Sequence, residues 1–296
     1  MKKLAILLLF FIPFILISSC KDDEDKNNTQ DSIIQVTDID VQTFYLVPSP
    51  EDVFGFADDE SLVFYPDYLN SVDNLSKYNT TKLQEFNFGV YAADLAYCAA
   101  TSKNDESVKY LQVVRKISQK IGLVDVFNES LITRIEHVSP YKDSLISLSN
   151  DTYFDIIRYL ERNDRPTTLA IMAAGGWIES IYLVVSQLEY SENSLSIDKI
   201  TEQKLIVSNL KMFLKQYSDD DKNISSIYDE FESIFDLYDE LSVETDDTNE
   251  ADDNRDSKII VVGGTNKIKI TETQYNQLKK YIIDTRNKLT QNNVTL

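Results

Sequence analysis

Glycine is the scarce residue of this sequence: only 7 occur in 296 residues, while 43% of the chain is hydrophobic. Turns with positive φ draw on glycine, and an average chain spends ~7% of its residues on it. The shortage argues against a loop-rich β-sandwich and against a Gly-rich nucleotide-binding sheet. The prolines beyond residue 40 (Pro48, Pro50, Pro66, Pro140 and Pro166) stand where helices start or chains turn. Two of the few glycines, Gly175 and Gly176, are adjacent inside an apolar stretch of helical period. Each weakens a helix by ~1 kcal/mol, so close approach by another element must require them. The helix of Tyr91 to Cys98, rich in Ala92, Ala93, Ala96, Ala99 and Ala100, is the expected partner. Gly176 is expected at the contact, with Trp177 filling the space beside it.

The period of the hydrophobic residues is helical almost throughout. Ser49-Pro50-Glu51-Asp52 starts a short helix to about 57, and Thr80 or Thr81 opens a long one through Gly89 to about 101. Asn104 opens a helix that stops at Gly122, with Lys116 and Lys120 near its end. Further helices are expected from Asn128 to about 138, from Ser139-Pro140 to 163, and from 164–166 to about 190. Others follow near 198–217 and 224–241. An acidic stretch, 244–257, reads as a solvated loop. Residues 258–262 and 267–270 flank Gly263-Gly264-Thr265-Asn266 as a small β-hairpin. Thr271-x-x-Gln274 is a capping box for the last helix. The expected fold is all-α: an antiparallel helical bundle or irregular tetratricopeptide-like array in one domain, 37–296, with a small hairpin near the C-terminus.

The beginning of the chain specifies an address. Lys2 and Lys3 precede an apolar run, Leu4 to Ile17, interrupted by Pro13 and shorter than the ~20 residues a bilayer span needs. Ile17-Ser18-Ser19-Cys20 resembles a bacterial lipobox. That resemblance implies a signal peptide over 1–19 and acyl chains on Cys20, which together anchor a protein stably. Lys21-Asp22-Asp23-Glu24-Asp25 resembles the lipoprotein export signal of the Bacteroidota, which implies the cell-surface side of the outer membrane. The alternative is a solvated acidic linker on the periplasmic side. Residues 20–36 read as tether. Within it Asp31-Ser32-Ile33 resembles that phylum's O-glycosylation sequon, marking Ser32, and Asp143-Ser144-Leu145 matches it as well. With Cys20 acylated, Cys98 is the one thiol left, and its Ala-rich surroundings mark a buried small hydrophobe.

Val47-Pro48-Ser49-Pro50, Gly89-Val90-Tyr91-Ala92-Ala93-Asp94-Leu95-Ala96-Tyr97 and Gly175-Gly176-Trp177-Ile178-Glu179 resemble a set of helical exported proteins of the Bacteroidota. The likeness covers roughly residues 45–190. It implies a helical fold and an exported protein, and it carries no catalytic residues across.

Charge and composition narrow the chemistry. With 49 acidic against 29 basic residues the net charge is −20, which argues against nucleic acid, since phosphates call for surplus Lys and Arg. One histidine, His137, leaves little for metal hydrolysis or a triad. Asp252-x-Asn254-x-Asp256 begins like a calcium loop, but Ser257 and Gly263 stand where Gly and Glu are required. No metal and no cofactor is expected. The notable polar residues are Asp94 and Glu179, each inside an apolar helix. They read either as buried acids paired with Arg115, Arg158, Arg162 or Arg165, or as a pocket lined by Tyr91, Asp94, Tyr97, Trp177 and Glu179. Two functions follow. One is a lipid-anchored binding or assembly module, an accessory subunit with a protein partner in the outer membrane. The other is a surface hydrolase acting on glycans or peptides through acids.

Overall fold

The computed structural model describes residues 63–138, 141–192, 194–245 and 266–291. The leader, the tether with Cys20, Lys21, Asp22, Asp23, Glu24, Asp25 and Ser32, the helix expected to 57, and Ser139-Pro140 lie outside the described residues. After two 3-10 turns, Pro66–Tyr68 and Val72–Lys77, the helices are α1 (Thr81–Ala100), α2 (Asn104–Lys120), α3 (Glu129–Val138), α4 (Lys142–Arg162) and α5 (Pro166–Val185). Then come α6 (Leu195–Glu202), α7 (Lys204–Ser218), α8 (Lys222–Glu240), strands β1 (Ser242–Thr245) and β2 (Asn266–Lys269), and α9 (Glu272–Thr290). The fold is all-α with a two-stranded antiparallel sheet near the C-terminus, as the sequence pattern predicts.

α5 lies at the centre and touches α1, α4, α7, α8 and α9. Its side chains explain the position: Leu169, Ile171, Trp177, Ile178, Ile181 and Val185 point around the whole helix and all are buried. A helix apolar on every side belongs in an interior. α1 is its main partner. The two run in the same direction, since Thr168 meets Glu85 near one end and Gln187 meets Tyr97 near the other. α2 to α4 make the return path between them.

Local signals set the ends. Thr80 Oγ1 accepts from Leu83 N at 3.3 Å to start α1, and Asn128 Oδ1 accepts from Leu131 N at 3.0 Å to start α3. Gly122, at φ +73°, closes α2 by letting Leu123 N reach Ser118 O at 2.8 Å. Ser102 and Asp164, at φ 57° and 54°, close α1 and α4 by the same geometry without glycine. The capping box at Thr271 and Gln274 forms.

Three details differ from expectation. The helix expected over 198–217 breaks at Gln203, which turns inward so that Trp177 Nε1 donates to its Oε1 at 3.4 Å. The partner of β2 is β1, with Ser242 opposite Lys269 and Thr245 opposite Asn266; the expected first strand, 258–262, lies outside the described residues. Buried Leu241 ends α8 and sets the chain extended beside β2, while Thr201 Oγ1 donates to Ile268 O at 3.1 Å from the other side. The third concerns the glycines. A Cβ on Gly175 would lie 2.0 Å from Phe86 O, and one on Gly89 would lie 2.1 Å from Met172 O. At Gly176 the nearest atom is Gly89 O at 3.7 Å, an ordinary contact. The backbones of α1 and α5 therefore touch at Gly89, Gly175 and Gly176, and it is Gly89 and Gly175, not Gly176, that leave no room for a Cβ.

Candidate functional site

Beyond this crossing the parallel course of α1 and α5 brings their two embedded acids together. Asp94 and Glu179 are each 0% exposed, and the charge of Glu179 acts on the Asp94 carboxyl. α9 supplies the cation. Arg286 donates from Nε and Nη2 to the two oxygens of Glu179, both at 2.7 Å, and from Nη2 to Tyr68 O at 3.1 Å. Its guanidinium lies 4.3 Å from the centre of the Tyr182 ring. None of the four arginines considered from sequence fills this place. Arg165 instead binds Ile121 O at 2.8 Å and approaches Glu85 at 3.5 Å, where Thr168 also donates to Glu85 at 2.7 Å.

Asp94 is served differently. Its Oδ2 accepts from the backbone N of Asn70 at 3.2 Å, and its Oδ1 has no hydrogen-bond partner. Burial, then the charge of Glu179, push its carboxyl well above the ordinary range, while Arg286 and the Asn70 amide oppose them. The surrounding phenols are held neutral. Burial pushes Tyr78 up to about 12, and Tyr91 and Tyr110 higher still.

The other residues singled out from sequence sit in separate contacts. Tyr91 OH donates to Ser71 O at 2.9 Å. Tyr97 OH accepts from Tyr65 N at 3.0 Å and from Gln187 Nε2 at 3.2 Å, on the side of the chain entry. Trp177 packs against Phe231 and Tyr238, with ring centres 6.2 Å away in each case. So Asp94 and Glu179 converge, Tyr91 stands behind Asp94 on the same helix, and Tyr97 and Trp177 belong to other contacts. All five are buried. Among the described residues two surface grooves lie elsewhere, one along Val72, Leu75, Lys116 and Lys120 and one between α3 and α4 at Arg134, His137 and Asp151. Among the described residues no three His, Cys, Asp or Glu side chains stand at metal-binding distance. Cys98 is buried, and burial raises its thiol far above the reactive range.

Sequence reasoning missed Arg286, Asn70, Tyr78 and Tyr110. Arg286 carried a signal: it falls four residues after Ile282 on the stripe Tyr275, Leu278, Ile282, Leu289, all of which are buried. A cation at a core position asks for a buried acid. Asn70 carried none, because it acts through its backbone.

Compared with known proteins, the chain matches no family model, no curated protein and no solved structure at a significant level.

Proposed function

We propose that this chain is a lipid-anchored helical binding or assembly module of the outer membrane, displayed on the cell surface and resembling the helical exported proteins of the Bacteroidota. The observation that carries the non-enzymatic part is the sealing of the acid pair. A glycosidase-type mechanism needs one acid and one carboxylate in reach of a sugar and a water. Asp94 and Glu179 are 0% exposed, and both oxygens of Glu179 are taken by Arg286. A hydrolase would have to use other acids. The lipobox at Cys20 and the Lys21–Asp25 run support the address, and the absence of sequence features of catalysis supports a module that acts by contact.

The test is direct. Cys20→Ser should release the protein into the soluble fraction, and a mutant that stays with the membrane defeats the anchor. Alanine across Lys21–Asp25 should leave the lipidated protein shielded from external protease in intact cells; equal cleavage of mutant and parent defeats surface display. Affinity capture from native membranes should recover an outer-membrane protein partner in constant proportion to the chain.

A further inference from the structure

The segment 63–80, the first of the described residues, is fastened by apolar contacts of Phe64, Tyr68, Leu69, Val72, Leu75 and Tyr78 with the core and by polar bonds. Of its side chains only Leu69, Asn70 and Tyr78 are buried. Gln187 Oε1 accepts from Val63 N at 2.9 Å and Arg286 binds Tyr68 O. Tyr97 OH accepts from Tyr65 N and Tyr91 OH donates to Ser71 O, and the buried bonds of the segment gather on Asn70. Asp94 accepts from its N, Tyr110 OH donates to its O at 3.0 Å, and its Nδ2 donates to Tyr78 OH at 3.0 Å. Tyr78 OH in turn donates to Thr290 O at 2.8 Å, which ties the segment to the end of α9. A surface segment whose buried polar groups are bonded at one residue opens there when those bonds fail.

The site beneath it does not balance in charge. Two carboxylates face one guanidinium, all buried, and the fork of Arg286 is spent on Glu179. Asp94 Oδ1 is buried and has no hydrogen-bond partner. One proton answers both problems, since it removes the surplus charge and supplies the missing donor. We propose that Asp94 carries this proton, donates it as a hydrogen bond to Glu179, and so forms a latch that holds the entry segment 63–80 on the bundle, a latch that loosens as pH rises.

The sign follows from linkage. In the unfolded chain Asp94 ionises near pH 4. Above that pH the native chain alone keeps the proton, so latching takes up a proton and weakens as pH rises toward the raised native value. Once Asp94 ionises, two carboxylates repel beside one cation. Water reaches them most directly by lifting Asn70, the residue that covers Asp94. The other titratable groups around Asp94 do not share this range. Tyr182 on α5, Tyr110 on α2, Tyr91 and Cys98 on α1, and Tyr78 in the segment itself are all raised by burial, and Arg286 on α9 stays charged.

The experiment is amide hydrogen exchange of the full mature chain between about pH 5 and pH 10, with Asp94→Asn measured against the parent at each pH so that the chemical exchange rate cancels. The substituted amide keeps the shape of the protonated acid and cannot titrate. Peptides covering 63–80 should open increasingly in the parent relative to the variant, by at most about tenfold per pH unit, while peptides of α5 stay unchanged. The infrared carbonyl band of a protonated carboxyl at neutral pH should vanish in the variant. Glu179→Gln guards against a folding failure of the first variant. It removes the like charge and leaves Arg286 facing one carboxylate, so Asp94 should ionise at lower pH and the opening of 63–80 should move to lower pH than in the parent. Parallel pH courses in parent and Asp94→Asn overturn the proposal. So does a carboxyl band that survives in Asp94→Asn, or an opening of Glu179→Gln at the same pH as the parent.

Discussion

The three glycines at the α1–α5 crossing allow the packing to be tested by a single added methyl group. In Gly175→Ala the new Cβ would sit 2.0 Å from Phe86 O and 2.9 Å from Phe86 C, both backbone atoms that cannot rotate away. Gly89→Ala meets Met172 O at 2.1 Å and Gly176 N at 2.6 Å. Overpacking of this kind costs about 1–3 kcal/mol even where side chains can yield. The upper end applies here, because a whole helix must move. Against it stands ~1 kcal/mol of helix propensity gained when alanine replaces glycine, so a net loss of about 2 kcal/mol remains at either position. Gly176→Ala collects the same propensity with its Cβ 3.7 Å from Gly89 O, and should therefore gain up to ~1 kcal/mol. The spread of about 3 kcal/mol corresponds to roughly 6–12 °C in melting temperature for a chain of this size. Thermal unfolding followed by circular dichroism should rank the proteins Gly176→Ala, parent, then Gly175→Ala and Gly89→Ala. A Gly175→Ala protein as stable as the parent, or a Gly176→Ala protein at the bottom of the order, would refute the contact.

Arg286→Met should cost about 3–5 kcal/mol in urea unfolding, because it strands the Glu179 charge, and Glu179→Leu on top of it should restore most of the loss; a single mutant within about 1 kcal/mol of the parent would show that the pair is not the anchor of α9. Trp177→Ala should cost about 3–5 kcal/mol by leaving a cavity between α5 and α8, read by the same unfolding curves, with little loss only if Phe231 and Tyr238 close over it. Cys98, fully buried and with its thiol raised by burial, should resist alkylation at mildly alkaline pH until the protein unfolds; rapid labelling of the native chain would place it at the surface.

The helices and most of their ends were legible because their causes are local. Thr80, Asn104, Asn128, Gly122 and the Thr271-x-x-Gln274 box each act within a turn of their own position, and the structure places helix ends at all of them. The break at Gln203 was not legible. Nothing within a turn of it forbids helix, and its cause is a hydrogen bond from Trp177. The same limit separates Gly175 from Gly176. Both fit one apolar stripe, and only the angle at which α1 crosses decides which one has no room for a Cβ. At the candidate site, the burial of Asp94 and Glu179 could be read from their apolar neighbours. Their cation could not be found by looking nearby: Arg286 lies 107 residues beyond Glu179.

α5 shows most sharply why a helix cannot be interpreted alone. With 20 residues and a mean hydropathy of 1.6, it is long and apolar enough to cross a bilayer. Here 89% of its most apolar 18-residue window is buried inside the protein, and the features that decide this belong to other elements. Gly89 on α1 opens the space in which the backbone at Gly175 can sit, and Arg286 on α9 answers the carboxylate of Glu179. Aromatic rings from α8 surround Trp177. A lone carboxylate in mid-helix costs several kcal/mol in lipid as in a protein core, so Glu179 must find its cation whichever environment the helix enters. Arg286 Nη2, the nitrogen that binds Glu179, also holds Tyr68 O at 3.1 Å. The charge that lets α5 be the core of the bundle is thus the charge that fastens the segment through which the chain enters it, and a perturbation at Glu179 should be felt at residue 68 before it is felt at the far ends of the helices.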